Sequence, residues 1–292
     1  MVCEVAVRIA VLGEVTVAGA DGERRRVGGA RLRTLLMVLA DRPGRTVSCE
    51  KLIDGIWGER LPAEPVNALQ TLVKRLRALL PDDIAVESVS GGYQLRVDPD
   101  EVDLHRFTRL GSQGTALLRS GEFRDAAAVF ESALALWDGT ITPNTVDIPD
   151  LAWQLDRIRE LRLDAVEARA EACVALGRAG EVVAQLEAEL RRNPLRESLA
   201  VRLVHVLTAI GRYGRAREVV AATRELLRAE LGVDASPELL RAVGEHPHRG
   251  TYRGVAPRPA AQRRPTRVSR HTTAGIRTSV IRPAAQPIPF PR

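Results

Sequence analysis

The sequence predicts a mainly α-helical protein with a small β component at its N-terminal end, and three observations carry that expectation. Residues 4–12, EVAVRIAVL, place Val5, Val7, Ile9 and Val11 on one side, the period of two that marks a half-buried strand. From Ala30 the apolar residues fall instead at i, i+3, i+4 and i+7, and from Val102 onward this helical period dominates. Finally, ALGRAG at 175–180 recurs as AIGRYG at 209–214, a spacing of 34 residues that suits stacked helical hairpins of the tetratricopeptide kind.

A second short strand, Val15 to Ala18, leads into Ala20-Asp21-Gly22, where Asp-Gly signals a hairpin, and then to a third over Arg24 to Val27. The first helix, Ala30 to Ala40, is set by Leu32, Leu35, Leu36 and Leu39 and stops at the Arg42-Pro43-Gly44 turn. Thr46-Val47 allows only a bridging strand. Ser48 then offers an N-cap hydroxyl to a second helix, which turns Leu52, Ile53, Ile56 and Trp57 inward and ends near Gly58. After the loop Gly58 to Glu64, Pro65 suits the first turn of a third helix, because its fixed φ is helical and its missing N–H is not needed there. Pro81 closes that helix. Two β-rich runs, Ile84 to Val89 and Tyr93 to Val97, joined across Ser90-Gly91-Gly92, predict a hairpin. Strands, three helices and a hairpin, in that order, predict a winged helix-turn-helix.

Beyond it the chain reads as all-α. A weaker repeat copy, LRSGEF at 118–123, precedes a helix whose inward face is Ala126, Ala127, Phe130, Ala133, Leu134 and Trp137. Gly121 stands 59 residues before Gly180, and the excess over one repeat includes the Pro/Asp/Thr-rich stretch 138–150. A plain helical bundle needs only the amphipathic pattern, whereas the recurring glycine pair favours the repeat. The chain thus divides into a winged-helix segment over 1–100, a tetratricopeptide-like segment over 101–243, and an Arg/Pro-rich stretch over 244–292. That stretch holds eight prolines, ten arginines and one acid, and reads as a disordered tail or a linker.

The net charge of +6 divides into 0 over residues 1–100, −3 over 101–243 and +9 over 244–292, so any DNA-binding argument rests on local placement. Cys3, Cys49 and Cys173 lie far apart and suggest neither a disulfide framework nor a zinc site. His105, His205, His246, His248 and His271 have no metal-ligand spacing, and no G-x-S-x-G elbow or glycine-rich dinucleotide loop occurs. A lone histidine on a helix, such as His105, reads as structural. No catalytic residue, metal or cofactor is expected. With no apolar run near eighteen residues and no basic stretch ahead of an apolar one at the N-terminus, a cytoplasmic protein away from membranes is expected.

The third helix carries the chemistry. At 100° per residue, Val66, Leu69, Val73, Leu76 and Leu80 form one apolar stripe, and Asn67, Thr71, Lys74, Arg75 and Ala78 lie opposite. Arg77 sits on the flank, where its stem can cover apolar surface while the guanidinium reaches outward. No acid interrupts the exposed face, and an acid there would repel phosphate. Arg to guanine, Asn to adenine and Thr or Ala to the thymine methyl are all major-groove contacts. On the helix alone, a DNA face and an ordinary solvated face both stay open, and the winged order favours DNA. The tip Ser90-Gly91-Gly92 would then offer N–H groups to phosphates, with Tyr93 packed behind it in the core.

The segment GGARLRTLLMVLADRPGRTVSCEKLIDGIWGERLPAEPVNALQTLVKRLRALL, ending in SGGYQL, resembles the Streptomyces antibiotic regulatory proteins, whose DNA-binding domain is similar to the OmpR type. VDLHRFTRL, the helices from Trp153 to Ala175, and ELGVDASPELLRAV resemble the bacterial transcriptional activator domain of the same family. The resemblance covers about residues 7–243. It implies a pathway-specific activator of secondary-metabolite genes that binds direct repeats in double-stranded promoter DNA as tandem protomers and engages RNA polymerase and its sigma factor. It also implies that Glu59, Arg60 and Glu64 lie on a polymerase-facing loop. OmpR-type wings often carry Arg-Gly before Gly-Tyr where this chain has Val89-Ser90, and the ATPase phosphate loop of large family members is not found. The alternative is an interaction scaffold whose winged fold and repeats dock proteins without DNA; salt-dependent duplex binding separates the two.

Overall fold

The computed structural model describes residues 6–19, 22–137 and 149–243, with side chains from residue 156 in the last stretch. Glu4 and Val5 of the expected first strand, Ala20-Asp21 of the expected turn, positions 138–148 of the expected break and the stretch 244–292 lie outside the described residues.

Three short strands, β1 (Ile9–Ala10), β2 (Thr16–Ala18) and β3 (Arg24–Arg26), form an antiparallel sheet in that order, with Ile9 opposite Val17 and Thr16 opposite Arg26. Of the strand expected over 4–12, the described residues 6–12 keep only Ile9 and Ala10. At its C-terminal end the cause is Asp103, whose carboxylate accepts the backbone N–H groups of Val11 and Leu12 at 2.8–2.9 Å and takes them out of any ladder. On the other side of β1, Ile9 makes a parallel bridge to Val102, and the Arg8 N–H donates to Glu101 O at 2.8 Å.

Helices α1 (Ala30–Ala40), α2 (Cys49–Trp57) and α3 (Pro65–Arg77) follow. The Ser48 hydroxyl caps α2 by accepting from Lys51 N at 3.2 Å, and Pro65 takes the first position of α3, both as expected. The bridging strand β4 (Val47–Ser48) pairs with β6 (Gly92–Arg96), which pairs with β5 (Ala85–Val89), giving a second sheet in the order β4-β6-β5. Leu36, Leu52, Leu69, Leu76, Val86 and Leu95 meet in one buried cluster beneath these elements. Tyr93 is buried there too, in the core role expected of it.

The rest of the described chain is helical: α4 (Asp103–Ser120), α5 (Phe123–Leu134), α6 (Pro149–Ala175), α7 (Val183–Arg192), α8 (Glu197–Ala209), α9 (Tyr213–Leu231) and α10 (Pro237–Ala242). Three of these helices end in the same left-handed turn. Gly121, Gly177 and Gly211 have φ of 80°, 72° and 77°, and the next residue's N–H returns to a carbonyl five positions back: Glu122 to Leu117, Arg178 to Cys173 and Arg212 to Leu207, at 2.8–2.9 Å. Gly121 is therefore the equivalent of Gly177 and not of Gly180, which corrects the repeat register; the 34-residue step from Gly177 to Gly211 stands. Asp150 of the expected break already belongs to α6. Gly114 on α4 lets the Phe130 ring of α5 approach so closely that an added Cβ would lie 2.8 Å from it. Phe107 meets Trp137 edge to face with ring centroids 5.4 Å apart. The fold class is that expected: a winged helix-turn-helix followed by a tetratricopeptide-like helical domain.

Candidate nucleic-acid interface

Leu69, Leu72, Val73 and Leu76 anchor α3 on α1 and α2, leaving Asn67, Thr71, Lys74, Arg75 and Ala78 exposed on the opposite side. Val66 does not join the core stripe as expected. It is 52% exposed, because the first turn of α3 runs past the edge of the core, and Leu72 fills the stripe instead. Gln70, exposed between Asn67 and Lys74, adds an amide to the face that sequence reasoning passed over.

The exposed groups differ in availability. Among the described residues, the Lys74 and Arg75 side chains make no hydrogen bond or ion pair, so both cations are open to an incoming anion. The Thr71 hydroxyl donates to Asn67 O at 2.9 Å, which leaves its lone pairs and methyl outward. The Asn67 amide donates to the carboxylate of Glu64, one turn back, so the acid expected on the polymerase-facing loop also touches the end of the exposed face of α3.

Arg77 departs from expectation most. Its guanidinium is turned onto the hairpin instead of outward, with Nε donating to Val86 O at 2.7 Å and Nη2 to Ser88 Oγ at 2.9 Å. The reason is geometric: α3 ends beside β5, and the polar edge of that strand satisfies the planar donors of arginine better than water can hold them on a flank. Arg77 fixes the wing to the helix.

At the wing, Ser90 and Gly91 form the exposed tip, with Gly91 in the left-handed region at φ 80°. Gly92, expected at the tip, is instead the buried first residue of β6. An added Cβ would lie 2.1 Å from Val47 O, so only glycine allows β4 and β6 to pair there. The tip is held to the helix-turn-helix by Cys49 N donating to Gly91 O at 3.0 Å. Across the hairpin Arg96 pairs with Glu87 at 2.9 Å, and this carboxylate raises the Arg96 pKa.

Glu59, Arg60 and Glu64 are all exposed along the connection between α2 and α3. Leu61, 54% exposed, stands among them, and with exposed Val66 it gives the loop an apolar component. An aliphatic residue flanked by Arg60 and Pro62 was the available signal, and nothing in the pattern marked it as outward. The loop starts from a firm base, because Arg31 lies over the Trp57 ring at 5.9 Å and Arg60 N donates to Trp57 O at 3.0 Å. Among the described residues no helix is long and apolar enough to cross a membrane.

Residues 27–95 match the family described as transcriptional regulatory protein, C terminal, and residues 102–245 match the bacterial transcriptional activator domain. The chain is 38% identical over 235 residues to the regulatory protein AfsR of Streptomyces coelicolor, covering 80% of this chain but 23% of AfsR, and so spans about a quarter of that relative. It is 35% identical over 247 residues to the transcriptional regulator RedD of the same organism, covering 82% of this chain and 70% of RedD. Mycobacterium tuberculosis EmbR, solved in complex with a low-affinity phosphopeptide, superposes with a TM-score of 0.74 at 26% identity, covering 82% of this chain and 66% of that one. With both segments matched in this order and RedD covered over most of its length, the chain belongs to the Streptomyces antibiotic regulatory protein family of transcriptional activators.

Proposed function

We propose that this activator acts on secondary-metabolite promoters by placing α3 in the major groove of each of two direct repeats. Asn67, Thr71, Lys74 and Arg75 face the bases and flanking phosphates, and the N–H groups of Ser90 and Gly91 face the neighbouring backbone. Gly92 and Arg77 hold that arrangement from behind. The loop Gly58 to Glu64, with Glu59, Arg60 and Glu64, faces RNA polymerase and its sigma factor, and the site of action is the nucleoid. One observation carries the reading: the outward face of α3 has two cations with no partner among the described residues and no acid between them.

The experiment is a salt titration of binding to the promoter repeats by Lys74→Ala and Arg75→Ala. Loss of a bidentate base contact is expected to weaken specific binding by about 1–3 kcal/mol. Loss of a phosphate contact is expected to lower the salt slope by about 0.9 per charge. Unchanged affinity in both variants in the same buffer would remove α3 from the groove.

A further inference from the structure

We propose that the cleft between the winged helix and the helical domain is a binding site for a small amphipathic anion, whose oxyanion head is taken by Arg45 and Arg157. The cleft, of about 540 Å³, is bounded on one side by the 41–45 turn and Pro99, and on the other by Leu104, His105 and Thr108 of α4 and Arg157, Ile158 and Leu161 of α6. That volume lies within the range of small-molecule sites, roughly 300–1,000 Å³.

Its chemistry is divided. Pro43, Pro99, Leu104, Ile158 and Leu161 supply apolar walls. Arg45 and Arg157 are exposed and make no side-chain hydrogen bond or ion pair among the described residues, whereas most arginines of the helical domain are clasped by acids, as Arg196 is by Asp164 and Glu167 at 2.7 and 2.9 Å. Among the described residues, the acid lining the cleft is Asp41, which already faces Arg42 at 3.5 Å. His105 is turned away to Ala40 O at 2.8 Å, so it shapes the wall and leaves the two guanidinium forks to meet the ligand. A planar donor fork matches a carboxylate or phosphate head, and the aliphatic wall takes the body attached to it.

This site is separate from the DNA face. Ser48 pairs with Gly92 beside the wing tip, Val47 with Tyr93, and Gly44 N reaches Leu95 O at 2.8 Å, so the 41–45 turn lies at the end of β6 remote from Ser90-Gly91. Because the walls come from two separately packed cores, an occupant stabilises the arrangement of the two that forms the cleft, and the thermal midpoint rises with ligand concentration.

The test is calorimetric titration of the full chain with phenyl phosphate, benzoate, inorganic phosphate and benzyl alcohol, with the thermal midpoint followed in parallel. One aromatic anion or both should saturate a single site, the tighter of the two identifying the head group. Inorganic phosphate should bind at least tenfold more weakly, and benzyl alcohol should not saturate. The R45A/R157A double variant should lose at least tenfold in affinity, and K74A/R75A should keep it. Both arginines are exposed, and R45K/R157K serves as a second variant that keeps charge and loses the fork. The proposal is overturned if neither aromatic anion saturates a site, if R45A/R157A binds like the parent chain, or if K74A/R75A abolishes binding.

Discussion

Arg77 and Asp103 each do their work through partners on another element: Arg77 through Val86 O and Ser88 Oγ of β5, and Asp103 through the Val11 and Leu12 N–H groups some ninety residues earlier. Arg77→Ala removes the two bonds to Val86 and Ser88 and should lower the unfolding free energy by about 1–2 kcal/mol. It should also weaken binding to operator and scrambled duplex alike, since it loosens the wing without removing a base contact; a loss confined to the operator would return Arg77 to base reading. Arg77→Lys cannot restore both bonds, having no fork. Burial pushes the Asp103 carboxyl up from 3.8 to about 6, against the opposing pull of the Leu12, Val11 and Leu104 N–H groups. Between about pH 4 and 6 the folded chain therefore holds a proton that the unfolded chain has released. Stability from this group is greatest below that window and falls by up to about 3 kcal/mol as pH rises through it. Denaturant unfolding across that pH range should show this decline in the parent chain and a shallower one in Asp103→Asn, whose side chain does not titrate.

At the scale of elements, the connection from α2 to α3 is expected to separate binding from activation. Alanine at Glu59, Arg60, Leu61 or Glu64 should leave promoter affinity within about twofold, because surface substitutions outside a contact usually change little, while lowering transcription by purified polymerase. Lost DNA binding instead would reduce the loop to a structural link, with Glu64 the sensitive position because it holds the Asn67 amide. What the sequence disclosed about these elements follows from how local their causes are. Ser48 caps and Pro65 starts a helix through atoms within three or four residues, so α1, α2 and the start of α3 were legible. Gly92 is buried by Val47, 45 residues earlier, and its restriction comes from a neighbouring strand that no local pattern reveals. Val66 keeps the helical period but outruns the core, since periodicity gives a face without saying how far the facing surface extends. The exposed polar face of α3 was legible as composition, and the turning of Arg77 was not, because its partners lie on β5.

For the whole molecule, one winged helix reads few base pairs, and residues 1–100 carry no net charge, so a lone protomer has little non-specific attraction to lean on. Two protomers arranged head to tail make a heterologous contact and require direct repeats, where an isologous pair would require a palindrome. Repeats centred roughly 10–11 base pairs apart, or a multiple, present the same face of the duplex, and inserting about five base pairs between them should cripple binding in a gel-shift assay. Tolerance of that insertion, or equal affinity for a single half-site, would exclude tandem binding. The Asp103 carboxylate that holds Val11 and Leu12 also has a consequence in time. It joins positions 92 and 91 residues apart, and the neighbouring bridge joins Ile9 to Val102. A chain emerging from the ribosome cannot close these contacts until the start of α4 is out, so its first strand stays unlatched while α1, α2 and α3 have already emerged. The N-terminal sheet is therefore latched only as the helical domain begins to appear, and a nascent chain released early would lack that latch.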